Sequence, residues 1–494
     1  MGWFKNMIMK LLRIQPAQEV KQIVIREPLS YQTNVLRNRL WYRGDPSELE
    51  QFAIQAAMDP VSKARFWAAT ASEGLRIRKI HSGLPAMIAG TLADIVITDF
   101  DGIETTAADW EDIAKDNNFD KLLAESITET LVAGDGAFKV SYDPDVSDYP
   151  ILEFYSGEQV DYVRKRGRLQ EVMFYTDYYH NDNDYRLEES FGRGYVRSRL
   201  LNKYGKEVPL NSIPETEKLQ PEVIYDGDWI MAVPMQFFKS PKWPSRGKSI
   251  FDSKNDEFDA LDEIISQWVD AIRSGRVQKY IPEDLIPKNP HTGEFQQPNP
   301  FDNGFLRKGN NFKEDAENKI EVVQPEIHYQ AFVESYASAL DMCLQGIVSP
   351  STLGIDLKKR DNAEAQREKE KATLYTRSKL IEALNSVLPQ LVDVTLKVYD
   401  AMQSRAAGVY EATAKFGEYA SPSFDEVIES VGKARAYNIM SIEESVNQLY
   451  GDSWTDDEKA AEVKRLKEEQ GLLVEEPEVR RRDDPPEIDP PGGE

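Results

Sequence analysis

Two helical stripes separated by an irregular insert constrain this chain more than any other feature. Phe258, Leu261, Ile265, Trp268 and Ile272 recur at steps of three and four, so they share one face of a helix. About fifty residues rich in Pro, Gly and Asn follow, over 277–326. A second stripe of Tyr329, Phe332, Tyr336, Leu340 and Cys343 then resumes the helical period. Two helices of about twenty residues are each about 30 Å long. Such a chain leaves the body of the protein, builds a small domain and returns. Paired helices of this kind make a stalk, and stalks gain stability when several copies pack around an axis.

After a loop at 347–362, a helix-forming run extends over 363–402, interrupted only by Pro389. The 494 residues imply two or three structural units with ample material for a core. The formal net charge of −25 makes an acidic surface that repels nucleic acid, which argues against tight, sequence-independent DNA binding. A surface past which DNA must slide without sticking is equally well acidic, so DNA stays open as a passing ligand. One cysteine, Cys343, leaves no intrachain disulfide, and with four scattered histidines a Cys/His zinc cluster is not expected. No cofactor is expected.

The best apolar run, 84–97, is too short to cross a bilayer and runs into Asp residues, so no membrane partner is expected. Near the start, Trp3, Phe4, Met7, Ile8, Leu11 and Leu12 line one helical face, with Lys5, Lys10 and Arg13 off it. The segment lacks the features of a signal peptide, and Asn6 stands where a myristoylation signal wants Ser or Thr. An arm packing on a neighbouring protein is favoured over a helix lying on a membrane surface.

Residues 47–66, 84–94 and 109–133 read as helices. From 137 to 238 the pattern changes to short β-branched and aromatic runs at 137–142, 151–154, 159–164, 171–175 and 194–200. These make an antiparallel sheet region with long hairpins. Helical patterns return at 422–432, 441–450 and 455–470. Ser441 with Glu444, and Thr455 with Glu458, have the capping-box spacing of helix starts. Residues 474–494 are Pro, Glu, Asp and Arg with almost nothing to bury, so they are expected to be disordered. The fold class is therefore α+β and helix-rich.

Few motifs carry chemistry. Gly247-Lys248-Ser249 matches the end of a phosphate-binding loop, but the first glycine of that pattern would fall on Lys242. Pro241 and Pro244 also remove backbone donors, so a turn before the first stalk helix is the better reading. Arg43-Gly44-Asp45 spells an adhesion tripeptide of a length that arises by chance. Asp99, Asp101 and Glu104 lack the other ligands of a calcium loop and read as a solvated turn. Nothing pairs a His with a Ser or Cys at short range, and no sign of catalysis emerges.

The basic residues are more suggestive. Lys358-Lys359-Arg360 lies just before the long helix, and Lys279, Lys288, Arg307, Lys308, Lys313 and Lys319 make the insert locally basic. In a monomer these are solvated patches. In a closed ring each becomes a belt facing the axis or a partner, able to touch DNA phosphates transiently. The alternating signs over 364–371 fit a solvated or subunit-contact helix surface.

The ordered series now resembles a known family. Helical and β regions lead through Arg246-Gly247-Lys248-Ser249 into the first stalk helix, the insert and the returning helix. Ser349-Pro350-Ser351-Thr352-Leu353-Gly354-Ile355-Asp356 and the charged start Asn362-Ala363-Glu364-Ala365 follow. This order is similar to that of the portal proteins of tailed bacteriophages, particularly long-tailed, siphovirus-like ones. Trp41-Tyr42-Arg43-Gly44-Asp45-Pro46, Gly134-Asp135-Gly136-Ala137-Phe138-Lys139 and the stretch 439–450 add to the likeness, which covers roughly residues 40–470.

The resemblance implies a ring of typically twelve subunits at one capsid vertex, without enzymatic activity. Residues 1–40 become an N-terminal arm and 41–250 a wing with helical and β-rich parts. Residues 251–276 and 327–346 become stem helices around a clip at 277–326. A tunnel loop at 347–362, a long wing helix at 363–402 kinked near Pro389, a crown at 403–470 and an acidic tail at 471–494 complete it. Phe258, Leu261, Ile265, Trp268, Ile272, Phe332, Tyr336 and Leu340 would pack the stem. Lys358, Lys359 and Arg360 would face DNA, and Lys279, Arg307 and Lys308 would serve docking or DNA entering the channel. The implied partners are further copies of the chain, double-stranded DNA, the terminase large subunit, the major capsid protein, a head-tail adaptor and a scaffolding protein. The implied location is the virion, with assembly in the host cytoplasm. A scaffold or adaptor without a channel, and a nucleotide-driven packaging motor, are the alternatives.

Overall fold

The computed structural model describes residues 29–55, 66–73, 77–275, 278–286, 288–295, 305–309, 319–324, 326–355, 363–417, 424–437, 439–451 and 454–470. The apolar N-terminal face, the cluster Lys358-Lys359-Arg360 and the tail at 471–494 lie outside them. The chain divides into two compact units, Met1–Gly417 and Glu418–Glu494.

In the larger unit the helices α1 (Tyr31–Arg43) and α2 (Pro46–Gln55) come first. Ser30 caps α1 by accepting from the Thr33 N–H, and Gly44 ends it at φ 73°. Residues 31–40, expected to belong to the arm, thus fold into the body. Val35 is fully buried, and Asn34 and Asn38 both donate to Asp252 Oδ1 at 2.8 Å. Helix α3 (Leu84–Thr98) is followed by β1 (Phe100–Thr105). Asp99, Asp101 and Glu104 therefore sit at a helix end and along a strand, where a solvated turn was expected. Asp99 accepts from Arg377 at 2.7 Å and Glu104 pairs with Lys415 at 2.5 Å.

The span 109–133, read as one helix, is two: α4 (Asp109–Asp116) and α5 (Phe119–Ala133). Asn118 at φ 48° turns the chain left-handed, a region asparagine tolerates. The Asn117 amide donates to the Ile113 and Pro150 carbonyls and accepts from the Leu152 N–H, so the break ties α4 to the next strand pair.

Strands β2 (Asp135–Ser141) and β3 (Ile151–Ser156) precede β4 (Val160–Lys165), β5 (Arg168–His180), β6 (Asn183–Gly192) and β7 (Tyr195–Asn202). Then come β8 (Glu207–Val208), β9 (Glu222–Ile224) and β10 (Ala232–Gln236). Two sheets result, one of order β10-β2-β3 and one of order β4-β5-β6-β7-β8 with β9 beside β7. All their pairings are antiparallel, as the pattern required.

Helix α6 (Asn255–Ser274) leaves this body. The insert carries β11 (Gln278–Pro282), β12 (Phe305–Lys308) and β13 (Glu321–Val323), with β11 central, parallel to β12 and antiparallel to β13. Helix α7 (Tyr329–Leu344) returns and α8 (Ala363–Met402) crosses the body. Leu380, Leu384, Leu388, Leu391 and Val392 of α8 are fully buried. Helix α8 runs through Pro389, and the carbonyl its ring denies a partner is that of exposed Asn385. One core joins α3, α5, β2, β10, α8 and the bases of α6 and α7. Strand β14 (Ala412–Phe416) pairs with β1, so residues 403–417, expected at the start of the crown, fold with this unit.

The smaller unit holds α9 (Phe424–Ala436), α10 (Ile442–Tyr450) and α11 (Asp456–Glu469). Ser441 caps α10, and Thr455 with Glu458 forms a full capping box on α11. The chain is thus α+β and helix-rich.

Candidate functional site

Helices α6 and α7 lie antiparallel. At their base the Lys254 ammonium donates to the Met342 carbonyl at 2.5 Å. Halfway along, Trp268 lies parallel to Phe332 at 6.3 Å between centroids, with Tyr336 also 6.3 Å away. At the far end a Cβ on Gly275 would sit 2.4 Å from the Ile327 side chain, so glycine lets the chains close there without displacing it.

Of the expected stem residues, Trp268 meets Phe332 and Tyr336, and the set is covered unequally. Phe258, Leu261, Leu340 and Cys343 are buried in the body's core. Ile265, Trp268, Phe332 and Tyr336 are half-buried, and Ile272 is 51% exposed. Tyr329 on the facing helix is 62% exposed. Burial therefore falls steadily from base to tip, and the apical apolar face is only partly covered by its partner helix. Beyond it, Val322 of β13 is 61% exposed.

The tip sheet places the basic residues of the insert individually. Arg307 pairs with Glu283 at 3.1 Å and lies over the Phe295 ring at 5.0 Å. Lys308 pairs with Glu321 at 2.6 Å. Lys279 is exposed on the central strand, and Lys288 covers the other approach to Phe295 at 4.7 Å. Two of the three cations expected to serve docking thus already carry a carboxylate, through exposed pairs of small energy.

A polar face on α6, invisible to the apolar periodicity, anchors the stalk. Asp259 accepts from the Trp67 and Ala68 N–H groups at 2.6 and 2.8 Å. Three residues on, Asp262 accepts from the Ser82 N–H at 2.9 Å and lies 2.7 Å from His81 Nδ1. Ser266 then accepts from the Ile80 N–H at 3.0 Å and donates to the Asp262 carbonyl. These three positions fall on one side of the helix and hold the backbone N–H groups of Trp67, Ala68, Ile80 and Ser82. Burial pushes the Asp259 carboxyl up to about 6, against the pull of its two N–H donors.

The turn before α6 is tied still more firmly. Arg246 is buried and its guanidinium stacks on Tyr31, 3.8 Å from the ring centre. It donates to the carbonyls of Val160 at 2.6 Å and of Gly157, and to Asp161 Oδ1 at 3.1 Å. Its Nε lies 3.3 Å from Asp135 Oδ2. Asp135 also accepts from the Tyr31 hydroxyl at 2.6 Å and the Gly247 N–H at 2.7 Å. Burial holds the Asp135 carboxyl above its ordinary range, with Arg246 and these donors pulling against it. One ion pair therefore joins α1, the start of β2, the edge of the larger sheet and the turn that launches the stalk.

That turn cannot cradle a phosphate. The Gly247, Lys248 and Ser249 N–H groups are committed to Asp135, the Phe238 carbonyl and Asp252. Among the described residues no group of three or more His, Cys, Asp or Glu could hold a metal ion, and no helix is long and apolar enough to cross a membrane.

No family model and no curated protein matches the chain. Among solved structures it is similar to a chain of the virion of a native gene transfer agent particle. That match has 12% identity and a TM-score of 0.37, and covers 88% of this chain and 94% of the other.

Proposed function

We propose that this chain is the portal protein of a tailed, siphovirus-like phage. It forms a ring, of twelve copies in the usual family form, at one capsid vertex, through which DNA is packaged and later leaves. The observation that carries this reading is the burial gradient along α6 and α7: an antiparallel pair projecting from the body, apolar to its tip, yet only partly covered over its apical half. Apolar area of that kind is stabilised by neighbours, and a repeated heterologous contact closes into a ring.

In this reading α6 and α7 are the stem and the tip sheet is the clip, where the terminase large subunit and then a head-tail adaptor dock. The body is the wing and the unit from residue 418 is the crown. The chain has no catalysis of its own. Lys358, Lys359 and Arg360 form a weak, salt-sensitive belt around passing DNA. The committed backbone donors of the 247–249 turn weigh against a nucleotide-driven motor.

Negative-stain electron microscopy of the purified protein is the direct test, and rings with a central hole are the expected result. A protein that stays monomeric at high concentration and in capsids overturns the reading. With rings in hand, deleting residues 287–301 should abolish terminase recruitment, and replacing 358–360 by Ser should alter packaging or genome retention while leaving rings intact.

A further inference from the structure

A cavity of about 220 Å³ opens where the turn before α6, the end of α7 and the middle of α8 meet. Lys248, Lys254 and Lys379 line it with Ser253, Gln345 and Thr376, and no carboxylate among the described residues does. That absence is unexpected in a chain with 85 Asp and Glu to 60 Lys and Arg. Among the described residues the Lys254 ammonium donates to the Met342 carbonyl, and that of Lys248 to Ser253 Oγ at 3.2 Å. None of the three lysines makes an ion pair among the described residues. Cations lining one small cavity disfavour each other until an anion joins them.

The helix that Lys254 caps, α6, carries the complement on another side. Asp256, Glu263 and Asp270 recur at steps of seven and share a face of α6. Asp256 is exposed and close enough to Arg37 of α1 to favour that cation, whereas Lys254 is turned toward α7. Opposite charges thus stand about 3 Å apart in height on two sides of one helix. Rotation about an axis along the stalk sets one side of each subunit against the other side of the next, at equal height. We infer that the Lys248–Lys254–Lys379 cavity takes a carboxylate of the Asp256 face from a neighbouring copy of this chain, which completes the site. The inference rests on the ring reading above and assigns the polar contact that sets its register.

Rings assembled from equal parts of isotope-labelled and unlabelled chain, treated with a carbodiimide, test it directly, because the reagent joins an ammonium to a carboxylate in contact. Mixed-label cross-links from these lysines to Asp256 are expected. Lys379→Glu, on the exposed side of α8, should raise the concentration needed for assembly about tenfold. Adding Asp256→Lys should recover most of that loss. Rings without such cross-links, or Lys379→Glu assembling like the native chain, overturn the inference and leave the ring standing. Normal assembly of that variant with lost binding of inorganic phosphate makes the anion a phosphate and also overturns it. A native protein that never assembles overturns both readings.

Discussion

Arg246→Met isolates the ion pair that launches the stalk, because methionine keeps much of the buried stem and removes the charge. Arg246 is 7% exposed, and its loss strands the carbonyls of Gly157 and Val160 and leaves Asp135 buried beside Tyr31. A buried acceptor left without a partner costs about 1–3 kcal/mol, and a buried charge left without its counter-ion about 3–5 kcal/mol. The two overlap, since both describe one desolvated cluster, so about 4 kcal/mol is the expected destabilisation. An unfolding entropy of about 2.1 cal/mol/K per residue over the 417 residues of the larger unit gives about 0.9 kcal/mol/K. The melting temperature of that unit should therefore fall by about 4–5 °C, read by calorimetry.

A second variant checks the cause. Asp135→Asn with Arg246→Met removes both charges, and with them the cost of a buried carboxylate without its counter-ion, so it should melt above Arg246→Met alone. Additive losses, or a shift below about 1 °C for Arg246→Met, refute the claim that this pair is a coupled anchor.

The remaining expectations concern the stalk and the smaller unit. Trp268→Asp puts a carboxylate into the stack with Phe332 and Tyr336, and should prevent assembly while circular dichroism shows the body still folded. The Asp259 carboxyl is raised in the folded state, so that state binds the proton more tightly than the unfolded chain does. Stability from this group is full below its ordinary value of 3.8 and is lost as pH rises through about 6. Asp259→Asn should flatten denaturation midpoints across that window by up to about 3 kcal/mol. Gly247→Ala would place a Cβ 2.0 Å from the Gly134 carbonyl oxygen, and the forced backbone shift should cost at least about 1–3 kcal/mol in urea unfolding. Thr455→Ala removes the capping box of α11 and should lower the stability of the smaller unit by about 1 kcal/mol in the same assay.

Legibility in the sequence followed the range of the signal. Helices α6, α7, α10 and α11 were readable because periodic apolar positions or a cap within three residues define them, and both kinds of signal are local. Strand β6 was not read. Its sequence Asn-Asp-Tyr-Arg-Leu-Glu-Glu-Ser-Phe-Gly has few apolar residues, because its outer end is exposed and its inner part buries Glu188 and Glu189 against Arg199 and Lys139. The turn before it did carry a clue. Asn181 and Asp182 both take positive φ, at 49° and 59°, as a two-residue hairpin turn requires, and Asn-Asp is a pair that tolerates it.

The anchors of the stalk were hidden for a different reason. Asp259 and Asp262 lie in a helix whose other carboxylates are exposed or half-buried, and nothing in their spacing separates a buried acceptor from a solvated one. What distinguishes them is the backbone at Trp67, Ala68 and Ser82, nearly two hundred positions earlier in the chain. Asp135 and Arg246 each stood in a segment that carried the family resemblance, yet their meeting depends on where β2 begins relative to the 245–247 turn. The apolar stripe says that a helix packs. The polar groups on its other faces fix its direction and, in the reading proposed here, its neighbour. A stalk held only by apolar contacts would be free to slide along its partner, because such contacts have little directional preference. Three acceptors at successive turns of α6, each holding a different N–H of one segment, leave a single register. A ring whose subunits must present their stems at equal height needs that register set before assembly begins.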